Sequence, residues 1–424
     1  MISSAKIQDL QVLRGISILL VLLQHIFITP YLFGIIPKKI EMPFYLGVDI
    51  FFLISGYVIC LSLKKDFFHP GVFIVKRAFR LLPALVLFVV VSTFANKFML
   101  LVEPNSFPEF QINKGAKYFW EELSVITGTF VVFLQLSSSY CYTNGAMWTL
   151  SIEDMFYGFI ALLCLVSYKL SLKNLAFTKL HMAVWLAVGY FMIAFSRACL
   201  LVNPDLFHSF PSFDKWLVAI RFDFLLLGVL LGLLEDLKFW ESRITFIALN
   251  YGNFISPICL MVPLILTSVS EDAFVKHSRM LHGFTFPIAN VMFAVLVLSC
   301  ARNSAFPGKN GWFYKALTCI GDRSYTIYLF HYPMMLLAWT IFYFLAKHNL
   351  VSFDFRSFHP VYYGVFQIVT VSILLVPFGE FVYRKVEIPL AQYGRSLAAR
   401  ILESSAIKKN QVKKDFELIQ KKVA

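Results

Sequence analysis

The fold class this sequence predicts is an all-α polytopic membrane protein. It has about ten transmembrane helices and one re-entrant or interfacial segment around a central polar cavity. Three observations lead there. Of the 424 residues, 58% are hydrophobic and only 15% are charged, and the mean hydropathy is +0.71; soluble domains carry about a quarter charged residues. Eleven apolar segments recur along the chain, at roughly 12–30, 44–63, 80–102, 119–136, 147–168, 180–202, 216–234, 245–268, 283–301, 321–346 and 361–384. Lysine and arginine cluster in alternate connections, as the positive-inside rule requires of cytoplasmic loops. That rule also accounts for the net charge of +13, which is therefore no sign of a nucleic-acid partner.

The first segment is the centre of the reading. It holds Arg14 near its start and His25 eleven residues later. Ionisable groups facing lipid are costly, about 2.5–3.5 kcal/mol for Arg even on the lenient insertion scale. Eleven residues is close to three helical turns, so the two side chains share a face about 16 Å apart along the axis. No small-residue cleavage site follows, so the segment reads as a retained helix and not a signal peptide. The second segment opens at Gly47-Val48-Asp49. Between it and the third lie Lys64, Lys65, Lys76, Arg77 and Arg80, read as a cytoplasmic loop.

The 119–136 segment begins with Glu121 and Glu122 and contains Ser124, Thr127, Gly128 and Thr129. If it enters and leaves on the outer side, every basic connection falls inside and both termini are cytoplasmic; partial spans survive only where protein or water covers them. The next crossing opens with Trp148 and Glu153, and another with Arg221 and Asp223. The later segments follow basic groups at Lys169 to Lys179 and at Arg302 to Arg323. On this topology His25, Asp49 and Glu153 share an outer layer, and Arg14, Arg77 and Arg80 an inner one. Residues 1–390 form the membrane domain and 391–424 a basic cytoplasmic tail, amphipathic or disordered. The seven cysteines show no CxxC spacing, so neither a disulfide framework nor a metal site is expected.

Five motifs occur in order: Leu13-Arg14-Gly15 with His25; Gly47 to Tyr57; Lys76-Arg77-Ala78-Phe79-Arg80; Trp148-Thr149-Leu150-Ser151-Ile152-Glu153; and Ser324-Tyr325-Thr326-Ile327-Tyr328-Leu329-Phe330-His331-Tyr332-Pro333. Together they resemble the type-three membrane acyltransferase family over about residues 7 to 390. That family acylates cell-surface sugars, including O-antigen, exopolysaccharides, peptidoglycan and Nod factors. The resemblance implies essential roles for Arg14 and His25, for the Arg-x-x-Arg pair Arg77 and Arg80, for Trp148, Leu150 and Glu153, and for Ser324, Tyr325, Tyr328, Leu329, His331 and Pro333. The chain departs from the pattern at Gln11, where many members have Asp, and at Phe330 and Tyr332, where Trp is common. Many relatives add a hydrolase-like extracytoplasmic domain, which is not expected here.

The chemistry of the residues agrees with that implication. Acyl transfer to a hydroxyl needs a base and a donor for the developing oxyanion, and a neutral imidazole is the usual base. His25 is the candidate, with Glu153 or Asp49 to hold its tautomer. Paired guanidinium groups three residues apart suit phosphate, so Arg77 and Arg80, with Arg14, suit the nucleotide end of an acyl-CoA. Ser324, Tyr328 and His331 share one helix face and are expected to line the cavity with Trp148; His331 is either a second proton carrier or a hydrogen-bonded core histidine. Arg221 and Asp223 either pair with each other or bind the acceptor.

The expected protein is a multi-pass enzyme of the bacterial inner membrane. It moves an acetyl or short acyl group from acetyl-CoA to a hydroxyl of a surface glycan or its lipid-linked precursor, with no bound cofactor or metal. Its partners are acyl-CoA, the sugar acceptor and membrane lipids. The alternative is a proton-coupled transporter or flippase with His25, Asp49 and Glu153 as the relay.

Overall fold

The structure, a computed structural model, describes residues 7–32, 42–66, 70–102, 147–170, 175–202, 221–237, 243–274, 279–348, 350 and 360–404. The described residues hold no strand. In order they form α1 (Gln8–Leu32), a 3-10 turn (Pro43–Tyr45), α2 (Leu46–Asp66), α3 (Pro70–Val102), α4 (Met147–Leu170), α5 (Leu175–Val202), α6 (Phe222–Asp236), α7 (Arg243–Phe274), α8 (Arg279–Ala301), α9 (Trp312–Asp322), α10 (Ser324–Lys347) and α11 (Pro360–Val382). A π-helical turn (Tyr383–Glu387) carries the last helix onward over 388–404.

Ten of the eleven apolar segments are thus helices. The remaining one, 119–136, lies outside the described residues. Among the described residues, seven helices are long and apolar enough to cross a bilayer. The 15-residue α6 extends about 22 Å, less than the roughly 30 Å hydrocarbon thickness. It is instead buried without interruption from Asp223 to Leu233. Because each of its faces meets protein, its sequence is apolar all round and not striped. Large apolar side chains are instead exposed on the outer helices, among them Trp185, Phe191 and Phe195 on α5 and Phe254 on α7. Surfaces of that kind suit lipid, not water.

Two expectations need correction. Arg77 and Arg80 do not lie in a loop: Pro70 starts α3 ten residues before the expected segment, proline being at home in a first helical turn. The expected 321–346 crossing is divided at Arg323, with α9 a separate helix before it. On α9 the residues Tyr314, Leu317 and Gly321 are buried while Trp312 and Phe313 are exposed.

Close backbone crossings hold the bundle together, as is usual where lipid supplies no hydrophobic drive between helices. A Cβ added at Gly321 would lie 1.8 Å from the Gln11 carbonyl oxygen, and one at Gly15 would lie 2.3 Å from that of Leu317. So α1 and α9 touch backbone to backbone beside Arg14. Likewise a Cβ at Gly228 would meet the Leu53 carbonyl oxygen at 2.2 Å, and one at Gly56 that of Leu225 at 2.2 Å. Asp9 adds a polar anchor at the start of α1. It is fully buried and accepts hydrogen bonds from the Ala305 amide (2.8 Å), the Phe306 amide (3.3 Å) and the Tyr314 hydroxyl (2.6 Å).

Gly228→Val is expected to force α2 and α6 apart. Overpacking of this kind costs about 1–3 kcal/mol or more, read as a fall of several degrees in the midpoint of thermal unfolding in detergent. Gly158→Ala, where an added Cβ meets nothing within 4 Å, should leave that midpoint unchanged or raise it.

Candidate active site

Five helices surround one cavity of about 720 Å³, counting its open mouth. Arg14 comes from α1, Phe51, Phe52 and Ser55 from α2, Arg77 and Arg80 from α3, Thr149, Glu153 and Tyr157 from α4, and Ser324, Tyr325 and Tyr328 from α10. Residues from all five motifs therefore converge on one space, the first motif through Arg14. The Arg-x-x-Arg spacing works because three residues on a helix is nearly one turn, so α3 presents both guanidinium groups to the same space.

The charged lining is unbalanced: three arginines against Glu153. Arg77 is packed over the Tyr157 ring at 5.1 Å and the Phe73 ring at 5.5 Å, with a long hydrogen bond to Ser62 Oγ at 3.4 Å. The Tyr157 hydroxyl donates to Glu153 Oε1 at 2.6 Å. Ser324 is fully buried and its hydroxyl has no hydrogen-bond partner. The Tyr325 hydroxyl donates to the Leu81 carbonyl at 2.8 Å, which ties α10 to α3. Tyr328 and Thr149 share a hydrogen bond across the cavity wall.

The histidines sit one layer beyond Tyr328. Neither His25 nor His331 lines the cavity, although His331 was expected to. The His331 ring lies 5.7 Å from the Tyr328 ring and 4.8 Å from the His25 ring. His25 Nδ1 is 2.8 Å from the Val21 carbonyl oxygen, and His331 Nδ1 is 2.6 Å from the Tyr328 carbonyl oxygen. A carbonyl only accepts, so each Nδ1 carries a proton and each neutral ring keeps its lone pair at Nε2. His331 Nε2 in turn faces His25 Nδ1 at 3.3 Å. The tautomer of His25 is thus set by its own helix backbone and by His331. Neither proposed carboxylate does it: Glu153 accepts from Tyr157 and Asp49 accepts from Arg221.

Two further ion pairs are buried. Arg221 and Asp223 do not pair with each other. Arg221 Nη1 donates to Asp49 Oδ1 at 2.6 Å and the guanidinium lies over the Tyr45 ring at 5.3 Å. Its backbone is left-handed at φ 41°, a conformation that costs a non-glycine residue about 1–3 kcal/mol and persists only where its surroundings enforce it. Arg197 Nη1 donates to both oxygens of Asp223, at 2.9 and 2.8 Å, and stacks on Phe286 at 4.2 Å. Asn290 adds a long contact to Asp223 Oδ2 at 3.4 Å. Arg197 was absent from the sequence reading, yet an arginine within an apolar segment is itself the signal. The side chain of Trp148 lies outside the described residues.

Asp223→Asn should strand the Arg197 charge, since both side chains are at most 2% exposed; breaking one partner of such a pair costs about 3–5 kcal/mol. The double variant Arg197→Met with Asp223→Leu should recover most of that in thermal unfolding. A midpoint restored in the double variant would assign the pair to the scaffold.

Comparisons with known proteins point to one family. A protein of Staphylococcus aureus (strain COL) named "Putative O-acetyltransferase SACOL0978" is 24% identical over 401 residues, covering 92% of this chain and 58% of its own length. The peptidoglycan O-acetyltransferase OatA of Listeria monocytogenes is 26% identical over 313 residues, 69% of this chain and 45% of the relative. The O-acetyltransferase OatA of Staphylococcus aureus (strain NCTC 8325 / PS 47) is 24% identical over 364 residues, 82% and 53%. The chain thus spans about half the length of these relatives. No solved structure matches. The acyltransferase domain family matches residues 7–378, and this multi-pass chain of apolar helices belongs to that type-three family of membrane O-acyltransferases.

Proposed function

We propose that the chain moves an acetyl or short acyl group from cytoplasmic acyl-CoA to a hydroxyl of a cell-surface glycan or its lipid-linked precursor, in the inner membrane of a bacterium. The observation that carries this reading is the polarity of one site. Three guanidinium groups against one carboxylate line the cavity, and a histidine pair lies just behind Tyr328. Clustered guanidinium forks suit phosphate oxygens, and acyl-CoA brings several. The basic connections put Arg14, Arg77 and Arg80 towards the cytoplasm, where acyl-CoA is made. The Listeria relative acts on peptidoglycan by its name, which supports a surface glycan as the acceptor class.

In this reading the arginines bind the donor's nucleotide end and its thioester reaches along the cavity. His25 Nε2 takes the proton of the acceptor hydroxyl. The oxygen attacks the thioester carbonyl, the carbon–sulfur bond breaks, and the departing sulfur receives the proton. His331 keeps the base in the needed tautomer. A relay joining His25, Asp49 and Glu153 has less support, because each is engaged elsewhere: His25 with His331, Asp49 with Arg221, Glu153 with Tyr157.

The test uses the full chain in lipid nanodiscs with labelled acetyl-CoA and glycan from the cell surface, following label transfer and thiol release together. Wild type should transfer label. His25→Ala should slow it about 10²–10⁴-fold, the usual contribution of a general base, with the unfolding midpoint little changed. Equal rates for His25→Ala and wild type would remove the histidine from the mechanism. Thiol release without any labelled glycan would remove the acceptor class.

A further inference from the structure

The start of α10 adds hydrogen-bond donors that the catalytic reading does not use. The Ile327 amide donates to the Arg323 carbonyl at 2.9 Å, so the helix begins at Ser324. The amides of Ser324, Tyr325 and Thr326 therefore have no carbonyl within their own helix. No acidic side chain stands in this first turn, so the positive end of a 24-residue helix is not countered from within it. Ser324 is fully buried, it lines the cavity, and its hydroxyl has no hydrogen-bond partner. Buried hydroxyls are nearly always paired, so an orphan bordering a cavity points to a ligand atom.

The two sides of this helix start do different things. Thr326 is turned about 160° around the helix from Ser324, and its Oγ1 donates to Glu387 Oε2 at 2.7 Å. Glu387 is 7% exposed and closes the π-helical turn Tyr383–Glu387, so that carboxylate serves the side away from Ser324. Contacts on either flank bring the helix start to the arginines. The Tyr325 hydroxyl donates to the carbonyl of Leu81 at 2.8 Å, the residue after Arg80. A Cβ added at Gly321 would lie 3.1 Å from the amide nitrogen of Gly15, the residue after Arg14. Arg14 and Arg80 thus leave their helices beside the start of α10, and both line the cavity with Ser324.

We infer that the first turn of α10 is a seat for one phosphate group: the Ser324 hydroxyl and the neighbouring amides donate to its oxygens, while Arg14 and Arg80 neutralise its charge. Assigning that phosphate to the acyl donor rests on the acyl-CoA reading. Helix N-termini bind phosphate through their exposed amides and their dipole, and here an unpaired hydroxyl adds a directed donor. The duties divide. Long guanidinium side chains attract the anion, and a fixed backbone with a short side chain sets where it stops.

The experiment uses purified full-length protein in nanodiscs with three donors: acetyl-CoA, its 3′-dephospho form, and acetyl-pantetheine, which has no phosphate. Ser324→Ala should raise KM for acetyl-CoA about tenfold, the scale of one hydrogen bond to a charged group, with kcat changed less than about threefold. Ser324→Cys, close in size but a weak donor, should do the same. The KM factor should fall to near one with acetyl-pantetheine. A factor kept with the 3′-dephospho donor places the diphosphate in the seat, and a factor lost with it places the 3′-phosphate there. The ligand-free unfolding midpoint of Ser324→Ala should stay level or rise, because an unpaired buried hydroxyl has been removed. The same KM factor for all three donors, no factor for acetyl-CoA, or a midpoint lowered by several degrees would each overturn the inference. Lipid headgroups are the other source of phosphate, so KM is also measured in a phosphate-free maltoside detergent; a factor confined to nanodiscs would overturn the donor assignment. If wild type uses acetyl-pantetheine as well as acetyl-CoA, the acyl-CoA reading has failed. The seat is then judged with inorganic pyrophosphate, which must raise the unfolding midpoint of wild type more than that of Ser324→Ala.

Discussion

A charge placed among apolar helices must find its partner inside the protein, because neither lipid nor a dry core will solvate it. Two arrangements of buried charge stand out among the described residues. Arg197 with Asp223 and Arg221 with Asp49 are one-to-one pairs, each with its guanidinium against an aromatic ring. They join α5 to α6 and the entry of α6 to α2. The other kind is the cavity, where Arg14, Arg77 and Arg80 outnumber Glu153. A bundle that neutralises its scaffold charges individually and leaves one cluster in excess has concentrated its unmet electrostatics in one place, and strongly unbalanced clusters in clefts are where ligands bind.

Backbone contact makes that arrangement rigid. The glycine crossings of α1 on α9 and of α2 on α6 bring main chains to within van der Waals distance. Such contacts cannot slide without a clash, since even one Cβ overlaps a carbonyl oxygen. Gly15 adjoins Arg14 in sequence, so the crossing that fixes α1 also fixes where Arg14 leaves the backbone. Asp9, gripping the 303–306 connection and Tyr314, secures the start of the same helix. The cavity is therefore lined by elements whose relative positions are set by close packing.

Much of this was legible in the residues. Helix existence followed from apolar length, and Arg14, Arg77 and Arg80 share one layer as their positions near helix starts suggested; Glu153, expected in an outer layer with His25 and Asp49, instead lines the cavity with the arginines. What spacing cannot give is a partner from another helix. Asp49 and Arg221 are 172 residues apart, and nothing local distinguishes that pairing from Arg221 with its neighbour Asp223. His331 shares a helix face with Tyr328, but a helix face is broad, and the offset of about 60° between residues three apart directs its ring to His25. Glu387 was hidden by a change of period. A 3.6-residue reading places it about 60° from exposed Arg384 and about 140° from buried Val382, and only the π turn moves it inward.

The same geometry limits how any reaction at His25 proceeds. Arg14 and His25 are about 16 Å apart along α1, so a single ligand serving both must be long, anionic at one end and reactive at the other. Tyr328 lines the cavity beside Thr149, to which it is hydrogen-bonded, and its ring is tilted against that of His331. The ring of His331 is fully buried behind it. On the acyl-transfer reading, the donor's phosphates and its thioester therefore occupy different layers of the bundle.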